Sequence, residues 1–240
     1  KPSSAASDVY KRQVLAVHKI PIAGRVVDVK SSTAHFVTTT WHPFLVYDYR
    51  YGTPKYVEGE KLNPRVHVLV QPDRFVEIGN NKISTDLAYL IGLFIGDGHL
   101  PLNPQRKYVS LFFDNQDLHP IHEILDKLGY NYSEYQNQTG LRIDIYGPLY
   151  RILLNYGFKK GKKAVTVEIP KSILLSTEES IIALIAGIID SDGHFDKKRA
   201  RVRIVTVSKR LAEQLVFLLM AFGLDARISK YGKIGRTHSY

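Results

Sequence analysis

The sequence of 240 residues contains no cysteine, which excludes disulfide bonds, thiolate zinc sites and a cysteine nucleophile. Any metal ion must therefore be bound by oxygen or histidine. Long apolar runs are missing as well. The two longest, Leu87 to Ile95 and Ile181 to Ile189, fall far short of the roughly 20 residues that span a bilayer. Because residues 1–13 also lack the apolar core of a signal peptide, we expect a soluble, cytoplasmic protein without a membrane partner.

Acidic residues are the scarcer charge. Lys and Arg number 33 against 23 Asp and Glu, which gives a formal net charge of +10. Such an excess of positive charge favours a polyanionic partner, although charge alone does not separate DNA from RNA or anionic lipid. The hydrophobic content of 44% is ordinary for one large or two small globular domains, which excludes disorder over most of the chain.

An internal repeat organises the second part of the chain. Residues 87–99 read LAYLIGLFIGDGH and residues 182–194 read IALIAGIIDSDGH, so both copies end in Asp-Gly-His. Each copy is followed by a strand-like alternation, then by an amphipathic helix, then by a polar hairpin. The two copies are therefore predicted to be structural duplicates.

Both copies predict a helix with a stripe of small residues. Ser84 offers an N-cap oxygen to the first helix, and Ser176 with Glu179 has the spacing of a capping box before the second. The small residues recur every four positions, which places them on one face of each helix. They are Ala88, Gly92 and Gly96 in the first copy and Ala183, Gly187 and Ser191 in the second. Two such stripes favour two buried helices that pack closely about a pseudo-two-fold axis.

That packing brings Asp97 and Asp192 together at the two helix ends. A carboxylate is unfavourable at the C-terminal end of a helix, and two adjacent carboxylates repel each other, so a compensating cation is expected. Magnesium prefers carboxylate oxygens together with water and substrate phosphate. We therefore predict a Mg²⁺ site at Asp97 and Asp192, with the neighbouring Gly96 and Ser191 as further ligands. The alternative is a duplicated packing motif that ends in an ordinary Asp-Gly turn.

Leu90 to Gly98 and Ile185 to Gly193 resemble the nine-residue signature of the LAGLIDADG homing endonucleases. The resemblance covers residues 81–240. It implies an α+β fold of two pseudo-symmetric αββαββα repeats, residues 84–175 and 176–240, which together form a DNA-binding saddle.

The same resemblance implies the activity. A member of this family cuts both strands of a long double-stranded DNA site, and with two repeats it acts as a monomer. Asp97 and Asp192 match the acidic residues that hold the divalent cations. Mg²⁺ is the expected cofactor, and Mn²⁺ or Ca²⁺ can substitute for it in binding.

The sequence departs from the family pattern at two positions of the site. Asp190 matches an acidic position of the second motif where the first motif has Ile95, so Asp190 is interpreted as helix-end support. Val167 stands three positions before Pro170, where intein-borne relatives often carry a lysine. The candidates for supplying that charge are Lys163 or Lys171 in the first repeat and Lys230, Lys233 or Arg236 in the second, with Lys163 and Lys233 taken as catalytic.

The second repeat ends at Tyr240, where the strand that corresponds to the one ending at Tyr146 would finish. Its closing strand and helix are therefore expected to be absent. Together with Val167, this leaves a cleavage-deficient, maturase-like relative that binds DNA or intron RNA as the alternative function. The intact Asp97 and Asp192 favour the nuclease.

The region before the first motif is rich in β-branched and aromatic residues, which predicts short strands. Val37 to Val46 resembles an intein motif in which Thr39 and His42 help to activate the N-terminal splice bond. Residues 14–80 are therefore interpreted as a partial, all-β, Hint-like segment that follows a leader, residues 1–13. A fragment of a protein-splicing intein is the third hypothesis. Splicing itself is not expected, because the terminal nucleophile and asparagine are missing.

The sheets of the two repeats are expected to read the DNA. Basic and apolar residues alternate from Arg199 to Ile204, which gives this strand one basic face, and the corresponding positions of the first repeat carry Arg106, Tyr108 and Ser110. The resemblance implies that these faces lie in major grooves, where arginine contacts guanine and glutamine or asparagine contacts adenine. The predicted DNA-binding residues are Arg106, Tyr108, Gln136, Gln138, Arg142, Arg199, Arg201, Arg203, Lys230 and Arg236.

Overall fold

The computed structural model describes residues 21–31, 35–70, 79, 81–114, 119–137, 140–161, 163–229, 231–234 and 237–239. The chain divides into two compact units: unit one holds the described residues 21–30 and 35–69, and unit two holds residue 31 and those from 70 onward. The expected leader, residues 1–13, lies outside the described residues. None of the helices in the described ranges has the length and apolar character that crossing a bilayer would need.

Unit one is built from strands, in agreement with the all-β prediction. The strands are β1 (Val26–Lys30), β2 (His35–Thr39), β3 (Pro43–Asp48), β4 (Thr53–Glu58) and β5 (His67–Leu69). Strands β1 and β2 form an antiparallel pair, and β3 lies between β4 and β5. The side chain of Asp48 is fully buried where β3 ends, and its carboxylate pairs with Arg50 at 2.9 Å and Lys55 at 2.6 Å.

Unit two alternates helices with short strands. Its helices are α1 (Thr85–Asp97), α2 (His119–Lys127), α3 (Pro148–Asn155), α4 (Lys171–Leu174), α5 (Glu178–Asp192) and α6 (Lys209–Ala221). Its strands are β6 (Gly98–His99), β7 (Tyr108–Phe113), β8 (Tyr132–Asn137), β9 (Gly140–Tyr146), β10 (Gly193–Asp196), β11 (Arg201–Ile204), β12 (Tyr231–Ile234) and β13 (Thr237–Ser239). The two motif segments are α1 and α5, as the repeat predicts.

The starts of these two helices differ in their capping. Ser84 caps α1, because its hydroxyl accepts a hydrogen bond from the Leu87 amide at 3.3 Å. The capping box predicted from Ser176 and Glu179 is wrong. Helix α5 begins at Glu178 with Thr177 as its N-cap residue, and Ser176 is buried before the helix. The chain is pinned there instead by Ser180, whose hydroxyl donates to the Ile83 carbonyl at 2.6 Å.

The first repeat forms a four-stranded antiparallel sheet in the order β6-β7-β9-β8. Alternation along β7 and β9 sends one set of side chains into the core with α1 and α3. This buried set contains Val109, Leu111, Ile143 and Ile145. The opposite set forms the other face of the sheet, which is described below.

The second repeat has the same order of elements but a different strand arrangement. In the described residues, β10 pairs with β11 and β12 pairs with β13, in two separate two-stranded sheets. The strand predicted from Arg199 is shorter than expected. It begins at Arg201, because residues 197–200 form a turn in which Ala200 has a positive φ of 46°. The apolar side of this hairpin is exposed at Phe195 and Val202.

Candidate metal site and nucleic-acid face

The backbones of α1 and α5 touch where both helices carry glycine. A Cβ atom on Gly92 would collide with the carbonyl oxygen of Leu184, and one on Gly187 would collide with the carbonyl oxygen of Tyr89. Ala88 is fully buried on the same stripe. The predicted stripes of small residues therefore lie at the contact between the helices, and no larger side chain fits at the two glycines without separating them.

The contact continues to the C-terminal ends of the two helices. Asp97 is the last residue of α1 and Asp192 is the last of α5, and each is followed by a glycine that begins a strand. A Cβ atom on Gly96 would lie 3.3 Å from Cγ of Asp192. The carboxylate of one helix end thus lies against the backbone that carries the other carboxylate.

A lysine from outside both motifs reaches these helix ends. The segment after α3 folds back onto α1: the Phe158 ring packs edge-on against Phe94 at 5.1 Å, and the Gly161 amide donates to the Leu100 carbonyl at 2.8 Å. These contacts position Lys163, whose Nζ donates to the carbonyl oxygens of Ile95 at 2.7 Å and Gly96 at 2.6 Å. The ammonium therefore stabilises carbonyl groups that the end of α1 leaves without helical partners.

The electrostatics of the three ionisable groups are coupled. Burial raises the pKa of Asp192 to about 6, and repulsion from Asp97 adds to the rise while Lys163 opposes it. Asp97 is more exposed, yet the partial loss of water around its carboxyl still raises its pKa. Burial lowers the pKa of Lys163 to about 8, against the attraction of both aspartates. Two carboxylates and one ammonium thus share a poorly hydrated site, where an added cation would be favourable.

The oxygen atoms at the two helix ends suit a metal ion that retains several bound water molecules. The described residues hold no cluster of three or more His, Cys, Asp or Glu side chains suited to a metal. Asp97 and Asp192 offer two carboxylates, and the Gly96 carbonyl, which also accepts the hydrogen bond from Lys163, is a third oxygen at the end of α1. Magnesium is commonly held by one or two carboxylates together with waters and substrate phosphate, so these residues fit it better than a fully protein-bound metal.

Ser191 and Asp190 bind within the helix pair. The Ser191 hydroxyl donates to the carbonyl oxygens of Gly187 and Ile188, at 3.0 and 3.1 Å, so its proton is used within α5. The Asp190 carboxylate accepts a hydrogen bond from the Tyr89 hydroxyl at 2.8 Å. Burial together with this bond raises the pKa of Tyr89. The geometry is that of the helix-end support expected of Asp190.

The position expected to carry a lysine is part of the core. Val167 is buried, and its carbonyl oxygen accepts a hydrogen bond from the Ser208 hydroxyl at 2.6 Å. Its amide donates to the Lys163 carbonyl at 2.7 Å, so the two positions lie in one turn. Lys163 rather than residue 167 therefore brings an ammonium to the end of α1, where its charge acts on both aspartates. Lys171 begins α4 on the exposed side of the chain.

One face of the first sheet collects aromatic and polar side chains, and we call it the polar face. Strand register places on it Tyr108, Ser110 and Phe112 of β7, Arg142, Asp144 and Tyr146 of β9, and Ser133 and Tyr135 of β8. Tyr108 and Arg142, both predicted to bind DNA, therefore share this face. Gln136 pairs with Leu141, which puts it on the opposite face. Arg106 precedes β7 in an exposed turn.

Ser110 of β7 makes a buried hydrogen bond that the alternation of the strand does not predict. Its hydroxyl donates to Oδ1 of Asp144 at 2.7 Å, and both residues are buried. Oδ1 of Asp144 also lies 3.2 Å from Nε of Arg142. The only sequence signal for this cluster is the i, i+2 spacing of Arg142 and Asp144, which places two side chains on the same face of a strand.

The predicted basic face of the second repeat is partly neutralised. Nε of Arg201 and Nη1 of Arg199 lie 3.5 and 3.7 Å from Oδ2 of Asp196. Arg203 shares the side of Arg201 on β11, but Arg199 lies in the preceding turn. Gln138, Lys230 and Arg236 lie outside the described residues, and only the backbone of Lys233 is described, in β12.

The two splicing-like residues lie next to each other in unit one. Thr39 ends β2, and its carbonyl accepts a hydrogen bond from the His42 amide at 3.2 Å. The His42 ring is exposed and packs edge-on against Phe44 at 5.1 Å. The described contact between Thr39 and His42 is thus through backbone atoms, and a joint chemical role stays a prediction.

Residues 179–240 match the family model described as a LAGLIDADG-like domain. The match covers about the last quarter of the chain. It includes nearly all of α5, with Asp192 at its end, and the elements that follow.

The chain is also similar to segments of much longer proteins of Methanocaldococcus jannaschii. DNA-directed RNA polymerase subunit Rpo1C is 29% identical over 177 residues, which are 70% of this chain and 20% of that protein. Replication factor C small subunit is 28% identical, with 79% and 10% covered. ATP-dependent DNA helicase Hel308 is 27% identical, with 89% and 18% covered. The chain thus spans between a tenth and a fifth of the length of these curated relatives.

Two solved structures illustrate more distant likeness. I-DmoI in complex with DNA and Mn is 22% identical with a TM-score of 0.45, over 66% of this chain and 89% of that one. The N-terminal LAGLIDADG domain of DUF199/WhiA is 11% identical with a TM-score of 0.44, over 68% and 78%.

Proposed function

We propose that the protein is a site-specific DNA endonuclease that hydrolyses one phosphodiester in each strand of a long double-stranded site. The observation that carries the proposal is the meeting of Asp97 and Asp192 at paired helix ends, with the Lys163 ammonium beside both. The LAGLIDADG-like domain in residues 179–240 and the net charge of +10 support it. Residues 81–240 would act as a monomer of two pseudo-symmetric repeats, each helix end serving one strand.

Each group at the site has a defined task in this proposal. A divalent cation, Mg²⁺ above all and Mn²⁺ in its place, would stabilise negative charge on the phosphate oxygens when bound. Asp97, Asp192 and the Gly96 carbonyl would hold it. Lys163, with a pKa of about 8, is mostly protonated at neutral pH. Its ammonium would offset phosphate charge, and this pKa also suits proton donation to the leaving 3′ oxygen.

The curated relatives support an element that is inserted into host proteins. A polymerase subunit, a replication factor and a helicase are named for different tasks, yet each shares a segment with this chain that makes up a small part of its length. Because the shared segment occurs in proteins with different functions, it is not expected to perform the function of any one of them. We infer that residues 14–80 are part of the splicing domain of such an element, in which Thr39 and His42 belong to the splice site.

The test is magnesium-dependent cleavage of a randomised duplex library by the protein, by Asp97→Asn and by Asp192→Asn. We expect both strands to be cut at one recurrent sequence, and we expect each variant to lose this cleavage by about a thousandfold or more because one carboxylate no longer binds the cation. Arg151→Gln, a change of an exposed residue on α3, is the control and should cut normally. Cleavage that survives in both aspartate variants would refute the proposal.

A DNA-binding protein without cleavage is the second candidate. The buried Val167, at a position where relatives often have lysine, favours it. Retention of one recurrent sequence without any magnesium-dependent cut would support it over the nuclease.

A further inference from the structure

Each motif helix is followed at once by a strand that begins with glycine and histidine. The Gly98 amide donates to the Phe94 carbonyl, and the Gly98 backbone is extended. Gly193 repeats this arrangement with the Ile189 carbonyl. A Cβ atom on either glycine would collide with the last turn of its own helix. No larger residue fits there, so the chain leaves both helix ends along the same path.

This path places a histidine next to each aspartate of the candidate metal site. Two residues along an extended chain span roughly 7 Å, which is the expected separation of the Cα atoms of Asp97 and His99. The same separation applies to Asp192 and His194, because Gly193 is extended as well. One imidazole therefore accompanies each of the two carboxylates that meet at the helix ends.

Strand register puts both histidines on the polar side of their strands. His99 of β6 pairs with Ser110, which lies on the polar face. His194 of β10 pairs with Arg203 and therefore shares the basic side of its hairpin. The side chain of His99 is half-buried, and that of His194 is exposed. Both imidazoles are accessible to a ligand that approaches this side of the strands.

The two imidazoles are available for such a ligand. Neither ring makes a hydrogen bond or an ion pair with another described residue, whereas His122 of the same unit pairs with Glu134 at 2.6 Å. The histidines also do not complete a metal site with the aspartates. In the described ranges, no three His, Cys, Asp or Glu side chains are placed to hold a metal ion together.

The ligand that fits this position is a backbone phosphate. Phosphates rather than base edges are drawn to a cation held by two aspartates, and their oxygens then need hydrogen-bond donors. Lys163 has three N–H groups and uses two of them on the Ile95 and Gly96 carbonyls. Even a neutral imidazole carries one N–H donor, so His99 and His194 each supply one whatever their charge.

We propose that His99 and His194 are a matched pair of catalytic residues, each donating a hydrogen bond to a nonbridging oxygen of the phosphate that is cut in one strand. The inference rests on the proposed function and adds two residues to its site. Each donor would stabilise the negative charge that grows on that oxygen when water attacks phosphorus. No proton is transferred to or from the ring.

The first test is binding in calcium buffer, which does not depend on cleavage. Duplexes selected from a randomised pool carry a methylphosphonate, which lacks one phosphate oxygen and the charge, at one backbone position at a time. We expect His99→Ala and His194→Ala each to weaken binding of the unmodified duplex several-fold. Each loss should vanish when one particular phosphate is replaced, and the two phosphates should lie on opposite strands.

The second test is the rate at which each strand is cut in magnesium. We expect His99→Ala to slow the cutting of one strand by roughly a hundredfold, and His194→Ala to slow the cutting of the other by as much. Each variant should therefore accumulate a duplex that is nicked in the opposite strand. A merely structural role would slow both strands together.

His122→Ala is the matched control, because it removes a histidine of the first repeat that pairs with Glu134 on the other side of the sheet. It should change neither measurement. Losses of affinity that persist at every methylphosphonate position, or equal slowing of both strands, would overturn the inference. If His99→Ala fails to fold, His194→Ala decides, because its side chain is exposed.

The two tests also separate the inference from the proposed function. Binding without any cut by the unaltered protein would refute the nuclease, and the binding test would still decide the phosphate contacts. Failure to select any duplex would refute both.

Discussion

The ends of α1 and α5 carry the same Asp-Gly pair but are stabilised in different ways. At the end of α1, the Ile95 and Gly96 carbonyls accept hydrogen bonds from Lys163, which comes from a distant segment. At the end of α5, Ser191 bonds to its own helix and Asp190 bonds to Tyr89. The end of α1 is stabilised by the Lys163 ammonium from a distant segment, and the end of α5 by hydrogen bonds within the helix pair. A duplicated sequence motif has thus produced two ends with unequal electrostatics.

The largest loss of stability is expected from forcing α1 and α5 apart, because neither helix end then keeps its surroundings. Gly92→Ala places a methyl group against the Leu184 carbonyl oxygen, and the backbone cannot yield there without moving α5. We expect a loss of about 3 kcal/mol of unfolding free energy, measured by chemical denaturation of unit two. Gly24→Ala, which meets no atom within 4 Å, is the control. Equal stability of Gly92→Ala and the unaltered protein would show that the helices are not in backbone contact.

Removal of Lys163 should affect the α1 end most. Lys163→Met removes the two hydrogen bonds to the Ile95 and Gly96 carbonyls, at a cost of about 2 kcal/mol in metal-free buffer. The charge itself adds no stability, because burial lowers the pKa of Lys163 more than the two aspartates raise it. Magnesium should restore more stability to this variant than to the unaltered protein, because the cation replaces the lost charge. Cleavage should fall by about a hundredfold.

The matched control is Lys171→Met, which changes an exposed lysine near the same segment. It should melt and cleave normally. If Lys171→Met lost cleavage and Lys163→Met did not, Lys171 would be the lysine of the first repeat.

A smaller effect of opposite sign is expected from Asp192→Asn. The folded-state pKa of about 6 exceeds the value of roughly 3.9 for an unfolded aspartate, so ionisation destabilises the fold. Stability of the metal-free protein should therefore fall as pH rises from about 4 through 6, and the variant should lack this loss. At pH 7 we expect it to be more stable by about 1 kcal/mol, or about 2–4 °C, once solvent screening is allowed for. A variant that melts lower than the unaltered protein at pH 7 would contradict this.

The smallest effect should come from the support at the α5 end. Tyr89→Phe removes the hydrogen bond to Asp190 and keeps the ring, so we expect a loss of about 1 kcal/mol. The stabilisation by magnesium should stay unchanged, because neither residue lies at the cation. A change in magnesium affinity on titration would mean that Asp190 acts at the metal.

The duplicated motif was enough to predict much of the fold. The spacing of Gly92 and Gly187 predicted the helix contact, and Asp-Gly predicted where α1 and α5 end. These features follow from local patterns, because a small residue every four positions has one structural use at a close helix crossing. Alternation also predicted that Tyr108 and Ser110 share one face of β7, whereas Gln136 lies on the opposite face of the sheet from Arg142.

Other features depend on contacts between distant segments of the chain and could not be predicted from the sequence. The lysine expected at Val167 was absent, and which of Lys163 and Lys171 replaces it depends on how the chain after α3 folds back through Phe158 and Gly161. The capping box at Ser176 failed because Asn81 and Ser176 form a bridge that holds the chain before α5 begins. Nothing in the sequence around Arg142 shows that Asp144 and Tyr135 converge on it.

The distance along the chain between the two aspartates also governs when the site can form. Asp97 and Asp192 are separated by the whole of the first sheet and the segment that brings Lys163. Closing so long a loop is slow compared with forming either helix, so we expect docking of α5 to be a late event in folding. A nascent chain that has not yet released α5 from the ribosome holds only one of the two carboxylates of the proposed metal site. For the nuclease proposed above, completion of synthesis would thus precede any cleavage of DNA.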